Sequence, residues 1–205
     1  MGYSSKLIER AVEEFSKLPS IGKKSAFRLV LHLINQDKES TDKFVYAIQQ
    51  MKEHLKECSI CYNLSDNEVC AICANQARNK SILCVVETVR DVIALEETEQ
   101  YHGTYHVLGG VISPLEGVGA EDVKIPELIA RIKTEGVTEL IMALSPTIEG
   151  DTTIFYISKK VADLDVTITT LSRGVAFGSE LEYTDEFTLG RSLVARVPYS
   201  QGSIK

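Results

Sequence analysis

The apolar positions of the first 55 residues follow helical spacing. Two runs, in which apolar side chains recur every three or four residues, flank a break at 19–22 and predict two helices around a tight turn. A third periodic run, from about Thr41, leads directly into the first cysteine. In chain order the apolar positions are Leu7, Ile8, Ala11, Val12, Phe15 and Leu18, then Leu29, Val30, Leu33 and Ile34, and finally Phe44, Val45, Ile48, Met51 and Leu55.

From residue 81 the pattern changes to short β-branched runs that alternate with helical patterns. Strands are predicted at 82–86, 105–108, 140–144 and 166–170, and helices near 88–97, 126–135 and 152–163. Such alternation indicates an α/β fold with a parallel sheet. Between the two regions, residues 58–73 lack any hydrophobic period, and 198–205 resemble a loose end.

Length and composition add a size estimate. A chain of 205 residues that is 44% hydrophobic can bury one substantial core and still carry a small module. The first twenty residues are interrupted by charges, which argues against a secretory signal, and no apolar run approaches the roughly 20 residues that span a bilayer. We therefore expect a soluble, cytoplasmic protein with no membrane partner.

The charge is unevenly distributed. The chain carries a formal net charge of -7, yet residues 1–34 contain six basic and three acidic side chains, a net +3, which leaves -10 for the rest. Any contact with nucleic acid should therefore be local, and the N-terminal helices are the place to expect it.

Four cysteines carry the sharpest chemical signal. Cys58 and Cys61 form one closely spaced pair, and Cys70 and Cys73 form a second pair shortly after it. Two such thiolate pairs can close tetrahedrally on one Zn²⁺, and four thiolates leave no open position for chemistry, so the metal is expected to be structural. A redox role and disulfides remain as alternatives, and a reducing cytoplasm disfavours the disulfides.

Two other side chains are potential ligands. Cys84 lies inside an apolar strand, where a small buried side chain is the simpler interpretation. His54 lies close to the first cysteine pair, but four cysteines already complete the shell.

Residues 18–26, Leu-Pro-Ser-Ile-Gly-Lys-Lys-Ser-Ala, resemble a helix-hairpin-helix motif. We expect Gly22 to allow the tight turn, and the N–H groups at the start of the next helix to point toward a phosphate, with Lys24 and Arg28 adding positive charge. Such contacts hold the nucleic-acid backbone without reading bases. The alternative is an ordinary helical hairpin whose lysines are solvated.

An acidic pattern follows the first and third predicted strands. Glu87 lies at the carboxyl end of the first strand, where open α/β sheets place ligands, and the pattern resembles a Toprim domain. Catalytic Toprim domains add a later Asp-x-Asp-x-Glu-Gly-Glu motif whose carboxylates hold Mg²⁺. Here Ser145 and Thr147 replace both aspartates, while Glu149 and Asp151 remain. Weak metal binding stays open, as does a simpler role for Glu87 in capping a helix N-terminus.

The order of these motifs resembles one family over nearly the whole chain. The hairpin at 18–28, the cysteines at 58–73, the degenerate Toprim stretch at 85–151, and the C-terminal sequences at 173–178 and 181–185 together resemble the bacterial RecR family of recombination mediators. Each motif taken alone occurs elsewhere, so the specificity lies in their order.

The resemblance implies an α/β protein with four parts. These are a helical helix-hairpin-helix region at 1–56, a four-cysteine zinc module at 57–78, a degenerate Toprim domain at 79–171, and a C-terminal Walker-B-like segment with its tail at 172–205. The usual proline of the C-terminal loop is replaced here by Ala176.

The resemblance also implies a function. It implies a non-catalytic, ring-shaped homotetramer that clamps single- and double-stranded DNA without sequence preference. With RecO and RecF it would help to load RecA onto single strands. Lys24 and Arg28 match the family's DNA-contacting positions, and Lys23 stands beside them where many relatives have proline.

Two other functions are compatible with parts of this pattern. One is a Mg²⁺-dependent Toprim enzyme that cuts, joins or primes nucleic acid, against which the loss of the aspartate pair argues. The other is a zinc-stabilised protein-interaction module without a nucleic-acid role, against which the basic hairpin argues.

Overall fold

The computed structural model describes residues 5–198, which form two compact units that divide between Leu55 and Lys56. No helix in this described part is both long and apolar enough to cross a membrane.

The first unit contains three helices: α1 (Lys6–Ser16), α2 (Lys23–Ile34) and α3 (Lys38–His54). The α1–α2 hairpin closes on a small core of Val12, Ala26 and Val30. Helix α3 begins three residues before the predicted start, because the Asp37 carboxylate accepts a hydrogen bond from the Ser40 N–H and caps it.

The turn between α1 and α2 differs from the expectation in one respect. Ser20 takes the left-handed conformation, with φ of +65°, whereas Gly22 is extended, with φ of −80° and ψ of 165°. The expectation that Gly22 provides the tight turn was therefore wrong, since the sharp reversal falls two residues earlier. Gly22 instead forms the N-cap of α2.

The second unit combines a cysteine-rich segment with a parallel sheet. The cysteine-rich segment contains β1 (Lys56–Glu57), β2 (Leu64–Ser65) and the short α4 (Ala71–Ala74). The sheet region contains β3 (Asn79–Val86), α5 (Val89–Glu96), β4 (Gly103–Val107), α6 (Ile125–Glu135), β5 (Glu139–Ala143), α7 (Ile148–Lys160), β6 (Thr167–Thr170) and α8 (Glu186–Val194). The four strands β4-β3-β5-β6 pair in that order, all parallel. The predicted α/β fold with a parallel sheet is thus confirmed.

Each face of the sheet has its own core. Because side chains alternate along a strand, Leu83 and Val85 of β3 join one core, while Cys84 and Val86 join the other. Helices α6 and α7 complete the first core, and α5 completes the second. Tyr62 of the cysteine-rich segment also packs against the second core.

Helix α7 starts four residues before the helical pattern predicted. The hydroxyl of Thr147 accepts a hydrogen bond from the Gly150 N–H at 3.1 Å and so forms an N-cap. Gly150 fits this first turn because any Cβ there would overlap the carbonyl oxygen of Ser145. As a result, Glu149 and Asp151 lie on the helix and not on the preceding loop.

The C-terminal region contains more order than the hydrophobic pattern indicated. A 3₁₀ turn at Leu181–Tyr183 leads into α8, whose N-cap is Asp185. The loose end expected at 198–205 falls, apart from its first residue, outside the described residues.

Candidate metal centre and nucleic-acid interface

The four cysteines of the cysteine-rich segment come together as a buried cluster. Their Sγ atoms all lie within 4.8 Å of one another, and the Sγ atoms of Cys61 and Cys70 are 3.5 Å apart. Zinc–sulfur bonds of about 2.3 Å in a tetrahedron place sulfurs about 3.8 Å apart. None of the described cysteines forms a disulfide. The cluster therefore has the donor set, the spacing and the burial of a four-cysteine zinc centre.

Local backbone structure positions these sulfurs. Cys58 and Cys61 lie on a turn that closes where the Tyr62 N–H donates to the Cys58 carbonyl at 3.0 Å. Cys70 is the N-cap of α4, and Cys73 lies on that helix. Backbone N–H groups also point at sulfur, from Cys70 to the Cys58 Sγ at 3.3 Å and from Cys73 to the Cys70 Sγ at 3.4 Å. Such donors stabilise thiolates in the coordinating form.

The pKa values of three of the clustered thiols are shifted in different directions. Burial opposes ionisation of Cys58, but N–H groups of Cys70, Cys61 and Ile60 outweigh it and lower the pKa of Cys58 to about 7. In contrast, the hydrogen bond to Cys73 and burial raise the pKa of Cys61, and burial raises the pKa of Cys70 to about 11. Four neighbouring thiolates repel one another, so a bound Zn²⁺ that displaces the remaining protons would supply the missing charge.

The other potential ligands lie outside this cluster. Cys84 is buried in β3, where desolvation and the charge of Asp91 raise its pKa to about 12. His54 is exposed at the end of α3. Among the residues that the structure describes, the cysteine quartet is the only group of three or more His, Cys, Asp or Glu side chains close enough to hold a metal.

A histidine that the sequence did not single out links the cysteine-rich segment to the sheet. The ring of His106, in β4, is fully buried and meets the Tyr62 ring edge-on, with 5.4 Å between centroids. Its Nε2 is 2.8 Å from the Lys124 carbonyl oxygen, while its Nδ1 has no partner. Burial lowers the pKa of His106 to about 4, so the ring is neutral at physiological pH. Only its position in an apolar strand could have indicated this role.

The outer edge of β4 is covered by specific contacts. The Val107 N–H donates to the Cys61 carbonyl at 2.9 Å, and the Arg131 Nη1 donates to the Tyr105 carbonyl at 2.6 Å. Arg78 donates to the Gly103 carbonyl at 3.4 Å. Both guanidinium groups are also paired with glutamates, Arg78 with Glu96 and Arg131 with Glu135. The Arg78–Glu96 pair joins distant parts of the chain, whereas the Arg131–Glu135 pair lies within α6. Neither pair was predicted from the sequence.

The predicted DNA contacts lie at the start of α2. Lys23 and Lys24 occupy its first turn, and Arg28 lies one turn further, where the spacing of four residues places it on the same face as Lys24. All three side chains are exposed, and within residues 5–198 none of them forms an ion pair. Gly22 provides no side-chain cap for this helix start, which leaves N–H groups and the positive end of the helix dipole available.

The remaining Toprim carboxylates lie on different elements: Glu87 follows a strand, whereas Glu149 and Asp151 lie on α7. Glu87 follows β3, half-buried, and burial together with the nearby Asp91 raises its pKa. The alternative role for Glu87, capping α5, is not what the structure shows. Thr88 is the N-cap of α5 and forms a capping box with Asp91.

Asp151 is held by an arginine. The Nη1 and Nη2 atoms of Arg173 lie 3.1 and 2.6 Å from the two carboxylate oxygens of Asp151, a bidentate pair that lowers the pKa of this aspartate. Glu87, Glu149 and Asp151 do not form a metal-binding group among the described residues. At Asp151, a guanidinium occupies the carboxylate that a catalytic Toprim domain would present to Mg²⁺.

Comparison with known families matches these modules in the same order. The model for "RecR, helix-hairpin-helix" matches residues 8–52, and the model for the RecR zinc-finger domain with four cysteines matches 55–75. The Toprim domain model matches 81–172, and "RecR, C-terminal" matches 174–197. With the cysteine cluster, the zinc-finger match confirms the predicted zinc cofactor.

Curated relatives match over almost the full length. The chain is 54% identical to the recombination protein RecR of Flavobacterium johnsoniae over 201 residues, 98% of both chains. It is 54% identical to that of Bacteroides fragilis, over 97% of each chain, and 48% identical to that of Porphyromonas gingivalis W83, over 97% of this chain and 96% of the relative.

Proposed function

The chain belongs to the RecR family of recombination proteins, and from this premise we propose that it is a non-catalytic, DNA-binding mediator of recombination in DNA repair. The observation that carries the proposal is the exposed cationic face of Lys24 and Arg28 at a helix start without a side-chain cap. Lys23 adds a third positive charge beside it. Such a surface contacts phosphates and not base edges, so binding should be independent of sequence.

We propose that the chain is not catalytic because its Toprim motif lacks carboxylates that a metal site needs. A two-metal site needs several carboxylates around the ions. Here Ser145 and Thr147 replace two of them, and Asp151 is paired with Arg173. Both observations argue against the enzyme alternative, a Mg²⁺-dependent nuclease, topoisomerase or primase.

The zinc ligands are proposed to be Cys58, Cys61, Cys70 and Cys73, on the strength of their spacing and burial. When bound, zinc supplies a structural crosslink. We propose domain boundaries after residues 56, 78 and 171.

The assembly and partners are proposed from the resemblance to the family. We propose a homotetramer that clamps single- and double-stranded DNA and acts with RecO and RecF to load RecA, in the cytoplasm where the chromosome lies. Exposed apolar side chains support self-association, since α3 buries none of its residues. Phe44, Val45, Ile48 and Met51 are all exposed on it.

The test is a salt titration of DNA binding. Each phosphate contact removed should reduce the slope of log affinity against log salt by about 0.9 on duplex and about 0.7 on single strands. Lys24→Ala, Arg28→Ala and the double variant should show this loss with unchanged base preference. Lys52→Ala, an exposed lysine on α3, is the matched control.

Oligomer size is measured in parallel, because several hairpins in one assembly multiply a small loss per subunit. A double variant that assembles normally and keeps the wild-type slope would contradict the assignment of the DNA surface. Mg²⁺-dependent cleavage by the wild-type protein would favour the enzyme instead.

A further inference from the structure

The C-terminal segment, residues 172–198, is joined to the sheet domain by a single polar contact. None of its side chains is buried, and none belongs to the core on either face of the sheet. Within residues 5–198, the Arg173–Asp151 pair is the only hydrogen bond or ion pair between this segment and the rest of the chain. Its other hydrogen bonds, such as that from the Ala195 N–H to the Arg191 carbonyl, are internal. The position of the whole segment therefore depends on one ion pair and on its covalent link to β6.

The same segment forms one wall of a cavity at the carboxyl ends of β5 and β6. The cavity has a volume of about 520 Å³, and Asp151 and Arg173 face it from opposite sides. Its lining includes Met142 and Leu144 from the sheet, and Phe187, Thr188 and Arg191 from α8. Open α/β sheets bind ligands at the carboxyl ends of their strands. The segment thus lies where it would control access to such a place.

The ion pair is open to solvent. The Arg173 side chain is 28% exposed and that of Asp151 is 47% exposed. Two parallel hydrogen bonds fix the orientation of the guanidinium, but a partly exposed pair contributes little free energy and is weakened by salt. No buried apolar side chain of the segment adds to it. Few interactions therefore oppose detachment of the segment, in contrast to the rest of the sheet domain.

We propose that the C-terminal segment is a lid over this cavity and that the Arg173–Asp151 pair is its salt-sensitive latch. When the pair breaks, the segment detaches as a unit while the sheet stays folded. Helix α8 has nine residues, and a helix this short is not stable alone in water, so detachment also unfolds α8 and exposes its amides. This inference goes beyond the proposed function and needs neither DNA nor a partner protein for its test.

Hydrogen exchange of the full-length, zinc-loaded protein, followed by mass spectrometry, measures the opening. Asp151→Asn and Arg173→Gln should each raise the exchange rate of the α8 amides by about threefold to tenfold, because each removes the ion pair. The double variant should exchange no faster than the single variants, since both substitutions remove the same contact. Added salt should raise the exchange rate of α8 in wild type and have a smaller effect in the variants.

A neighbouring carboxylate provides the matched control. Glu149→Gln neutralises a charge in the same turn of α7, but Glu149 forms no ion pair in the part of the chain that the structure describes. Its α8 amides should exchange as in wild type. Strands β3 and β5 should keep the wild-type exchange rate in every variant, because the cores around them contain no residue of the C-terminal segment.

Oxidation by hydrogen peroxide tests whether the segment covers the cavity. Met142 lines the cavity and is 1% exposed, whereas Met51, on α3, is 56% exposed. In Asp151→Asn, Met142 should be converted to the sulfoxide about threefold faster or more than in wild type, because the open lid admits the oxidant. Met51 should react at the same rate in both proteins.

Four results would overturn the inference. Wild-type exchange of α8 in both single variants would mean that the ion pair holds nothing in place. Faster exchange throughout β3 and β5 would mean that the pair stabilises the whole domain. Unchanged oxidation of Met142 with faster exchange of α8 would mean that the segment detaches without uncovering the cavity. A difference between variant and wild type that disappears on dilution of the protein would assign the contact to a neighbouring copy.

Discussion

Acidification should weaken this protein through His106. The Nε2–H of the neutral ring donates to the Lys124 carbonyl, and the Nδ1 atom faces no acceptor. A second proton on Nδ1 would create a buried cation without a partner, near the positive charges of Arg131 and Lys124. Protonation is therefore opposed first by burial and then by these two charges.

The magnitude follows from the two pKa values. His106 titrates near 6.5 when the chain is unfolded and at about 4 when it is folded. Between these pH values the unfolded chain binds more protons, so the free energy of unfolding falls as the pH falls. The loss is about 2 kcal/mol between pH 7 and pH 5 and approaches about 3 kcal/mol below pH 4.

Urea unfolding at several pH values between 7 and 5 measures this loss. His106→Gln retains an N–H donor but has no group that titrates in this range. Between pH 7 and pH 5 its free energy of unfolding should therefore fall by about 2 kcal/mol less than that of wild type. His32→Gln, at an exposed position, is the control and should follow wild type. Zinc content is measured at each pH, because protonation of the cysteines would release metal and destabilise all variants alike. Parallel pH profiles for His106→Gln and wild type, at equal zinc content, would refute the reasoning.

Three other predictions concern stability and chemistry. Cys70→Ser is expected to lower the zinc content below one ion per chain, measured by elemental analysis, and to lower Tm. The control Cys84→Ala should keep its zinc. Full zinc content and an unchanged Tm in Cys70→Ser would contradict the ligand assignment. Gly150→Ala should lower the free energy of unfolding, measured in urea, by about 1–3 kcal/mol, because its new Cβ meets a backbone carbonyl. Gly190→Ala, with open space around it, should leave that free energy unchanged or raise it by up to about 1 kcal/mol. Equal effects at both positions would refute the packing argument. No Mg²⁺- or Mn²⁺-dependent cleavage, joining or priming is expected, and Glu87→Ala should instead change partner binding or stability; a turnover that disappears in Glu87→Ala would favour the enzyme.

Local patterns were sufficient to predict most of the secondary structure. The four strands of the parallel sheet appear where the β-branched runs placed them, since such side chains favour strands. The zinc cluster was also predictable, because two closely spaced cysteine pairs limit the geometry whatever the loop between them does. Element boundaries were less accurate. The hydroxyl of Thr147 extends α7 by four residues through a cap that hydrophobic periodicity does not register.

Contacts between distant residues could not be read from the sequence. Nothing near Asp151 indicates that Arg173, 22 residues later, will pair with it. Likewise, His106 looks like one polar residue in an apolar strand until the cysteine-rich segment places Tyr62 against its ring. The α8 helix was missed because it buries none of its residues, and Phe187, Leu193 and Val194 remain exposed, so its apolar side chains form no regular stripe for a core.

The contacts along β4 determine at which edge of the sheet a further strand could pair. Gly103, Tyr105 and Val107 direct backbone groups away from β3, and these groups are already engaged by Arg78, by Arg131 and by the Cys61 carbonyl. A guest strand would have to displace the buried guanidinium group of Arg131 and the partly buried one of Arg78, and open the metal-binding turn, before it could pair there. At the opposite border, β6 is only four residues long and partly exposed. Strand addition from another chain, including the misassembly that leads to aggregates, is thus restricted to one short border, and loss of zinc would free only the Val107 N–H of the other.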